Sequence, residues 1–288
     1  MSCTRRDFLA WGATGLFMTA LANKVPVFNQ LLAARLPLKI GVTDWNLEQE
    51  GKIGAVAMAK RIGFDGVEIS LGVGTDKLPL SDPDLQRQYI EASRKSTLPI
   101  ESTCLEILHR DALKSNPLAR RWVADSIPIT RALGARIILL PFFGKAALRT
   151  PQEMNYVSDY LKEIAPEAEK AGVILGLENT ISAEDNVRIL DRVNSRAVRI
   201  YYDIGNSTHG KFDILKEIRW LGKERICQFH LKDNPHYLGK GTINIPAVID
   251  AIAEIGFSDW AMLETDSPSK NVEADLRTNL NYVRGLVS

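Results

Sequence analysis

From Leu38 onward, short apolar runs rich in Ile, Val and Leu alternate with longer stretches of helical periodicity, the pattern of repeated βα units. Eight such runs can be placed, at Leu38–Trp45, Asp65–Ser70, Leu98–Cys104, Ala135–Pro141, Val173–Asn179, Val198–Asp203, Ile226–Leu231 and Trp260–Thr265. Their starts lie about 25 to 38 residues apart, the length that one strand plus one helix needs. Helix starts are expected at Ser81-Asp82-Pro83, Thr150-Pro151-Gln152-Glu153 and Ser182-Ala183-Glu184, each offering a side-chain cap. Gly63, Gly134, Gly172 and Gly256 fall just before strands, where glycine ends a helix in a left-handed turn.

Strands apolar on both faces and joined by helices belong in a parallel sheet covered on both sides. Two α/β architectures do this. The first unit has no GxGxxG to mark an open doubly wound sheet, and eight evenly spaced units suit closure into a single (β/α)8 TIM barrel. At 288 residues the chain holds one barrel of roughly 250 residues and little else.

Composition narrows the function. Lys plus Arg total 36 against 35 for Asp plus Glu, so no strongly basic surface is available to neutralise many phosphates, and nucleic acid is disfavoured as a partner. Cys3, Cys104 and Cys227 are odd in number, widely spaced and without a CxxC, which argues against a disulfide framework or a zinc site. Cys104 and Cys227 read as buried apolar residues.

The first 34 residues stand apart. Thr4-Arg5-Arg6-Asp7-Phe8-Leu9 precedes the uncharged, weakly apolar run Leu9–Ala22, which reads as a twin-arginine export signal. The alternative is an amphipathic or disordered extension. Ala20-Leu21-Ala22 offers small residues for cleavage, and Leu31-Leu32-Ala33-Ala34 offers a later site. The run is about 14 residues, short of the roughly 20 a stable membrane span requires, and Cys3 precedes the arginines, so it cannot be a lipobox cysteine. The expected division is residues 1–34 as signal and lead-in and 35–288 as the barrel. It implies a periplasmic or extracytoplasmic enzyme whose partner during export is the twin-arginine translocase.

In a barrel, residues at the C-terminal ends of strands converge on one mouth. Four successive runs end in Leu177-Glu178-Asn179, Tyr202-Asp203, Phe229-His230-Leu231 and Leu263-Glu264-Thr265. Any one of these has a bland reading, since a lone carboxylate caps the next helix and a lone histidine packs in a core. Together they are harder to dismiss, because three carboxylates gathered at one point without a cation would strongly raise one another's pKa. Three oxygen ligands and one nitrogen suit a single divalent ion, Mn²⁺ foremost, with Mg²⁺, Co²⁺ or Zn²⁺ as alternatives.

From Leu38 to the C-terminus the chain resembles the xylose isomerase-like barrel superfamily, in particular its sugar phosphate isomerase/epimerase group. The resemblance rests on Gly63-Phe64-Asp65-Gly66-Val67-Glu68, Leu177-Glu178-Asn179, Tyr202-Asp203-Ile204-Gly205-Asn206, Phe229-His230-Leu231-Lys232-Asp233, Leu238-Gly239-Lys240-Gly241 and Leu263-Glu264. Similarity to the ketose 3-epimerases implies that Glu178, Asp203, His230 and Glu264 bind the metal and that Glu178 and Glu264 form the acid/base pair. A substrate carbonyl and hydroxyl chelated by the metal would lose the adjacent proton to give a stabilised enediolate. Two carboxylates on opposite faces of that plane make inversion natural. A small carbohydrate is the implied substrate, and homo-oligomerisation stays open.

The chain departs from the epimerase pattern beside the metal set. Glu184 keeps the glutamate expected six residues after Glu178, but Asn206 stands where a histidine is common and His236 where an arginine is common. Without that fixed cationic fork, a phosphorylated substrate is disfavoured. Lys232, Asp233 and His236 are expected at the mouth, the alternative being that Lys232 and Asp233 pair on a solvated loop. Glu68 either binds sugar hydroxyls or ties down the barrel. Trp45, Phe142 and Phe143 either stack on a sugar or pack in the core, and His109 and His209 receive no role.

Three functional classes compete on these residues. A keto-glycoside lyase or hydratase, or a keto-inositol-type dehydratase, would use the same metal and glutamates to expel a β-leaving group. A non-catalytic carbohydrate-binding barrel would not need both glutamates. A metal-dependent DNA-repair endonuclease needs more histidines than the four present and a basic groove.

Overall fold

The structure is a computed structural model that describes residues 37–287; the twin-arginine segment and Cys3 lie outside the described residues. Eight parallel strands, β1 (Lys39–Thr43), β2 (Gly66–Ser70), β3 (Ile100–Cys104), β4 (Ile137–Pro141), β5 (Ile174–Glu178), β6 (Val198–Asp203), β7 (Ile226–Leu231) and β8 (Trp260–Leu263), pair in chain order. β8 returns to β1 through Ile40↔Ala261 and Val42↔Leu263 and closes the ring. This is the single (β/α)8 barrel that the apolar runs imply, with strand ends trimmed by at most two residues.

Local chemistry sets the element boundaries. Asp82, Thr150 and Ser182 cap their helices by accepting from the amides of Asp84, Glu153 and Asp185. At Thr150 the Glu153 side chain also accepts from the Thr150 amide and completes a capping box, satisfying two amides that the first helical turn leaves free. The glycines before the strands all turn left-handed, with φ of 113° at Gly63 and 68° at Gly172.

Inside the ring, large side chains from one strand fill space that a neighbour leaves empty. A Cβ at Gly66 would sit 2.6 Å from the Trp260 ring, and one at Gly41 would sit 2.1 Å from Met262 Sδ. β8 can therefore carry Trp260 and Met262 inward only because its neighbourhood is glycine. Cys104 and Cys227 are both buried and, among the described residues, form no disulfide, and Phe142 packs in the core at 1 % exposure.

One irregularity positions the site. Between β6 and β7 the register shifts: Ile200 pairs with Ile226, but Tyr201 pairs with Gln228 and Asp203 with His230. Cys227 is the extra residue of this bulge. Paired residues of neighbouring strands point to the same face, and a one-residue slip exchanges faces. The bulge thus puts Gln228 and His230 on the inward side with Tyr201 and Asp203. Among the described residues, no helix is long and apolar enough to cross a membrane.

Candidate active site

Glu178 is the last residue of β5, Asp203 the last of β6, His230 lies one residue short of the end of β7, and Glu264 follows β8 directly. Their ligand atoms all lie within 4.8 Å of one another. His230 Nδ1 stands 3.0 Å from Glu178 Oε1, 3.3 Å from Glu264 Oε2 and 3.6 Å from Asp203 Oδ2. The ring is fully buried, and Glu264 is the most open of the four, with its side chain 18 % exposed.

The other face of the imidazole explains why Nδ1 points inward. Nε2 lies 3.2 Å from Glu68 Oε2, which also accepts from the Tyr201 hydroxyl at 2.7 Å. The Gln228 amide donates to Tyr201 Oη at 2.6 Å and to Ser102 Oγ at 3.0 Å. With a proton on Nε2 directed at Glu68, the ring turns Nδ1 toward the three carboxylates, where it would offer its lone pair to a bound cation, the usual support for a metal-ligating histidine. Glu68 lies in the middle of β2, is completely buried and does not face the mouth cavity. Its contacts are those of a support for His230 and Tyr201.

Three carboxylates this close repel one another. Burial, with Glu264 and Asp203 adding to it, pushes Glu178 up to about 8 against the pull of His230. Burial raises Glu264 as well, opposed by His230 and Lys232. Asp203 is held below its ordinary value despite its burial, chiefly by Lys232 and His230. His230 is lifted well above the imidazole range by Glu264 and Glu178, although burial opposes this. Three hard oxygen donors and one imidazole nitrogen within this span fit one divalent cation, which would neutralise the charge that drives these shifts. Asp203 Oδ2 is buried between the Lys232 ammonium at 2.7 Å and His230 Nδ1 at 3.6 Å, and would be the atom it offers such an ion.

Lys232 enters the site from the position directly after β7. Its ammonium sits 2.7 Å from Asp203 Oδ2 and 2.6 Å from Glu264 Oε2. The stem runs over Gly205, where an added Cβ would lie 2.6 Å from Lys232 Cγ. Trp45 Nε1 donates to Glu264 Oε1 at 3.1 Å, and Asn206 Nδ2 donates to Glu178 Oε1 at 3.2 Å. Each carboxylate of the Glu178–Glu264 pair is therefore steered by a neutral donor as well. These groups line one cavity of about 390 Å³, with Phe143 on its wall.

Three other expected residues lie elsewhere. Asp233 neither reaches the cavity above the cluster nor pairs with Lys232; its carboxylate accepts from the amides of Thr242 and Ile243 at 3.1 Å each and folds the loop after β7. His236 is exposed on that loop, outside the cavity. Glu184 is also exposed, because the cap at Ser182 starts the helix Ala183–Val193 in a phase that turns it outward. It lines a separate depression with Lys211, Phe212 and Trp220.

The cavity also holds residues that strand-end reasoning passed over: Glu50, Glu106 and His109, from the loops after β1 and β3. His109 stacks on Phe143 at 6.0 Å. Burial lowers the pKa of His109 and pushes Glu106 up to about 8. The only sequence signal for them was their position just past apolar strands.

A family profile described as "Xylose isomerase-like TIM barrel" matches residues 56–286. The chain belongs to this family. It is 23 % identical over 202 residues to a 2-epi-5-epi-valiolone 7-phosphate 2-epimerase of an Actinoplanes species, covering 68 % of this chain and 73 % of that protein. It is 24 % identical over 231 residues to an Escherichia coli L-ribulose-5-phosphate 3-epimerase, covering 72 % and 79 %. The solved structure of an L-ribulose 3-epimerase superposes with a TM-score of 0.73 at 18 % identity, over 87 % of this chain and 94 % of the other. That likeness is one of fold.

Proposed function

We propose that this family member is a divalent-metal-dependent epimerase or isomerase of a keto-sugar, with Glu178, Asp203, His230 and Glu264 holding the ion. The observation that carries the reading is the convergence of Glu178 and Glu264 on one imidazole nitrogen at 3.0 and 3.3 Å, both lining the same cavity. The names of the two curated relatives, both epimerases, support it. When bound, the ion supplies Lewis acidity toward a carbonyl, and Mn²⁺ is our choice from the oxygen-rich donor set.

The chain's own residues handle the proton. One glutamate removes it from the carbon beside the carbonyl, and the other, across the plane, returns one to the opposite face. Trp45 and Lys232 fix both oxygens of Glu264, and Asn206 fixes Glu178, so each carboxylate keeps its aim as charge moves. The twin-arginine reading belongs to the same proposal: the folded, metal-loaded enzyme works outside the cytoplasm. Cell fractionation with Arg5→Lys and Arg6→Lys together tests this, and an unchanged distribution would remove it.

The reaction itself is tested by incubating the Mn²⁺-loaded chain with free ketoses and 3-keto-glycosides in D2O and following the products by NMR. Deuterium next to the carbonyl with the skeleton intact is the expected result. Loss of the aglycone would assign a lyase instead, and substoichiometric metal after equilibration with Mn²⁺ would remove the centre.

A further inference from the structure

The cavity above the metal centre has two unlike walls. Glu178, Asn206, Lys232 and Glu264 come from the β5 to β8 side; Glu50 and Glu106 come from the loops after β1 and β3. Glu106 Oε1 accepts from the Gly72 amide at 2.8 Å, which anchors the side chain, while Oε2 is buried with no partner among the described residues. A buried carboxyl oxygen left unpaired beside a catalytic cavity is costly unless a ligand completes it. Lys232 is the only Lys or Arg among the described residues lining this cavity, and it is already held by Asp203 and Glu264. His109, the remaining basic group there, is shifted by burial toward its neutral form.

We propose that Glu106, with Glu50 near it, determines specificity by hydrogen-bonding a hydroxyl at the end of the sugar remote from the metal and by excluding a phosphoryl group from that position. The inference rests on the epimerase reading and narrows it to a sugar that is uncharged at its far end. It separates this chain from the curated relatives, both named for phosphorylated compounds. A phosphate dianion placed there would meet two carboxyl groups and no free guanidinium or ammonium, and a site built for a hydroxyl discriminates against an analogue that leaves its polar groups unmatched.

The test uses the Mn²⁺-loaded chain with D-fructose and D-ribulose and with their 6- and 5-phosphates, measuring binding by saturation-transfer NMR and turnover by deuterium wash-in. Wild type is expected to favour the free ketoses by at least about tenfold in kcat/KM. Glu106→Ala should raise KM for the free ketose on the order of tenfold, the loss of one hydrogen bond, and Glu106→Gln should restore most of it. Glu50→Gln combined with Glu106→Gln should cut the free-to-phosphorylated ratio about tenfold. A wild-type preference for phosphates, or a ratio unmoved in the double variant, overturns the inference. If Glu106 only tethers Gly72, Glu106→Ala lowers kcat and melting temperature together and leaves the ratio intact, which also overturns it. Binding and exchange with an unmoved ratio sink this inference alone, whereas no binding or exchange with any ketose removes the epimerase reading and this inference with it.

Discussion

Glu68 accepts hydrogen bonds from two buried donors, Tyr201 Oη at 2.7 Å and His230 Nε2 at 3.2 Å, so replacing it separates support of the metal ligand from the ligand itself. Glu68→Leu leaves both donors without an acceptor, at about 1–3 kcal/mol each, or about 2–6 kcal/mol together. Glu68 Oε1 has no partner among the described residues, so leucine also relieves part of a desolvation cost, and the lower half of that range is expected. Glu68→Gln keeps one acceptor oxygen but sets an N–H against the other donor, and should cost about 1–2 kcal/mol. Either change frees the ring to rotate or to move its proton to Nδ1. Removing such an outer partner costs about 10- to 100-fold in metal affinity, or about 1.4–2.7 kcal/mol. Isothermal titration of the metal-free variants with Mn²⁺, beside calorimetric melting, reads the two effects separately. A folded Glu68→Gln protein that binds Mn²⁺ within twofold of wild type would refute the proposed support of His230.

Acidity offers a second test. Glu178 and Glu106 stand at about 8 against an ordinary 4.5, and Asp44 at about 7 against 3.8, each through burial first. A carboxyl group whose folded value is raised holds its proton more tightly when folded. Its stabilisation is full below the unfolded value and is lost as pH climbs through the folded one. The melting temperature of the chelator-treated protein should therefore fall between about pH 5 and 8, and saturating Mn²⁺ should flatten that fall; a metal-free profile rising across the window contradicts it. Trp45→Phe removes the donor on Glu264 Oε1 and should lower turnover roughly tenfold, the worth of one hydrogen bond to a charged group; unchanged kcat would show that Trp45 only packs. Thr150→Ala breaks the capping box and should cost about 1 kcal/mol in chemical denaturation without altering Mn²⁺ affinity, so a loss of affinity would tie that helix start to the site.

Much of this was legible in the chain before any contact was known. The eight strands and the caps at Asp82, Thr150 and Ser182 follow from the composition of consecutive residues, and such signals survive into the fold because they are local. Closure of a parallel barrel then carries the ends of β5 to β8 to one mouth, so Glu178, Asp203, His230 and Glu264 could be named together. Glu184, Asp233 and His236 stand outside the cavity that holds Glu178 and Glu264, because spacing along the chain does not encode how a helix start or a loop turns a side chain. Glu106 was missed because an acidic residue in a loop looks the same whether it faces solvent or a cavity.

The sequence by itself thus determined the barrel and the meeting of Glu178, Asp203, His230 and Glu264, since both follow from periodicity along the chain and the convergence of strand ends. Tertiary structure alone decided which nitrogen of His230 faces the ligands. That choice depends on Glu68, which is 162 residues away in sequence, and on the bulge at Cys227 that turns His230 inward. It also decided that Lys232 joins the carboxylates while Asp233, its neighbour, folds a loop. Such assignments belong to pairs brought together only when the ring closes, and no local pattern encodes them.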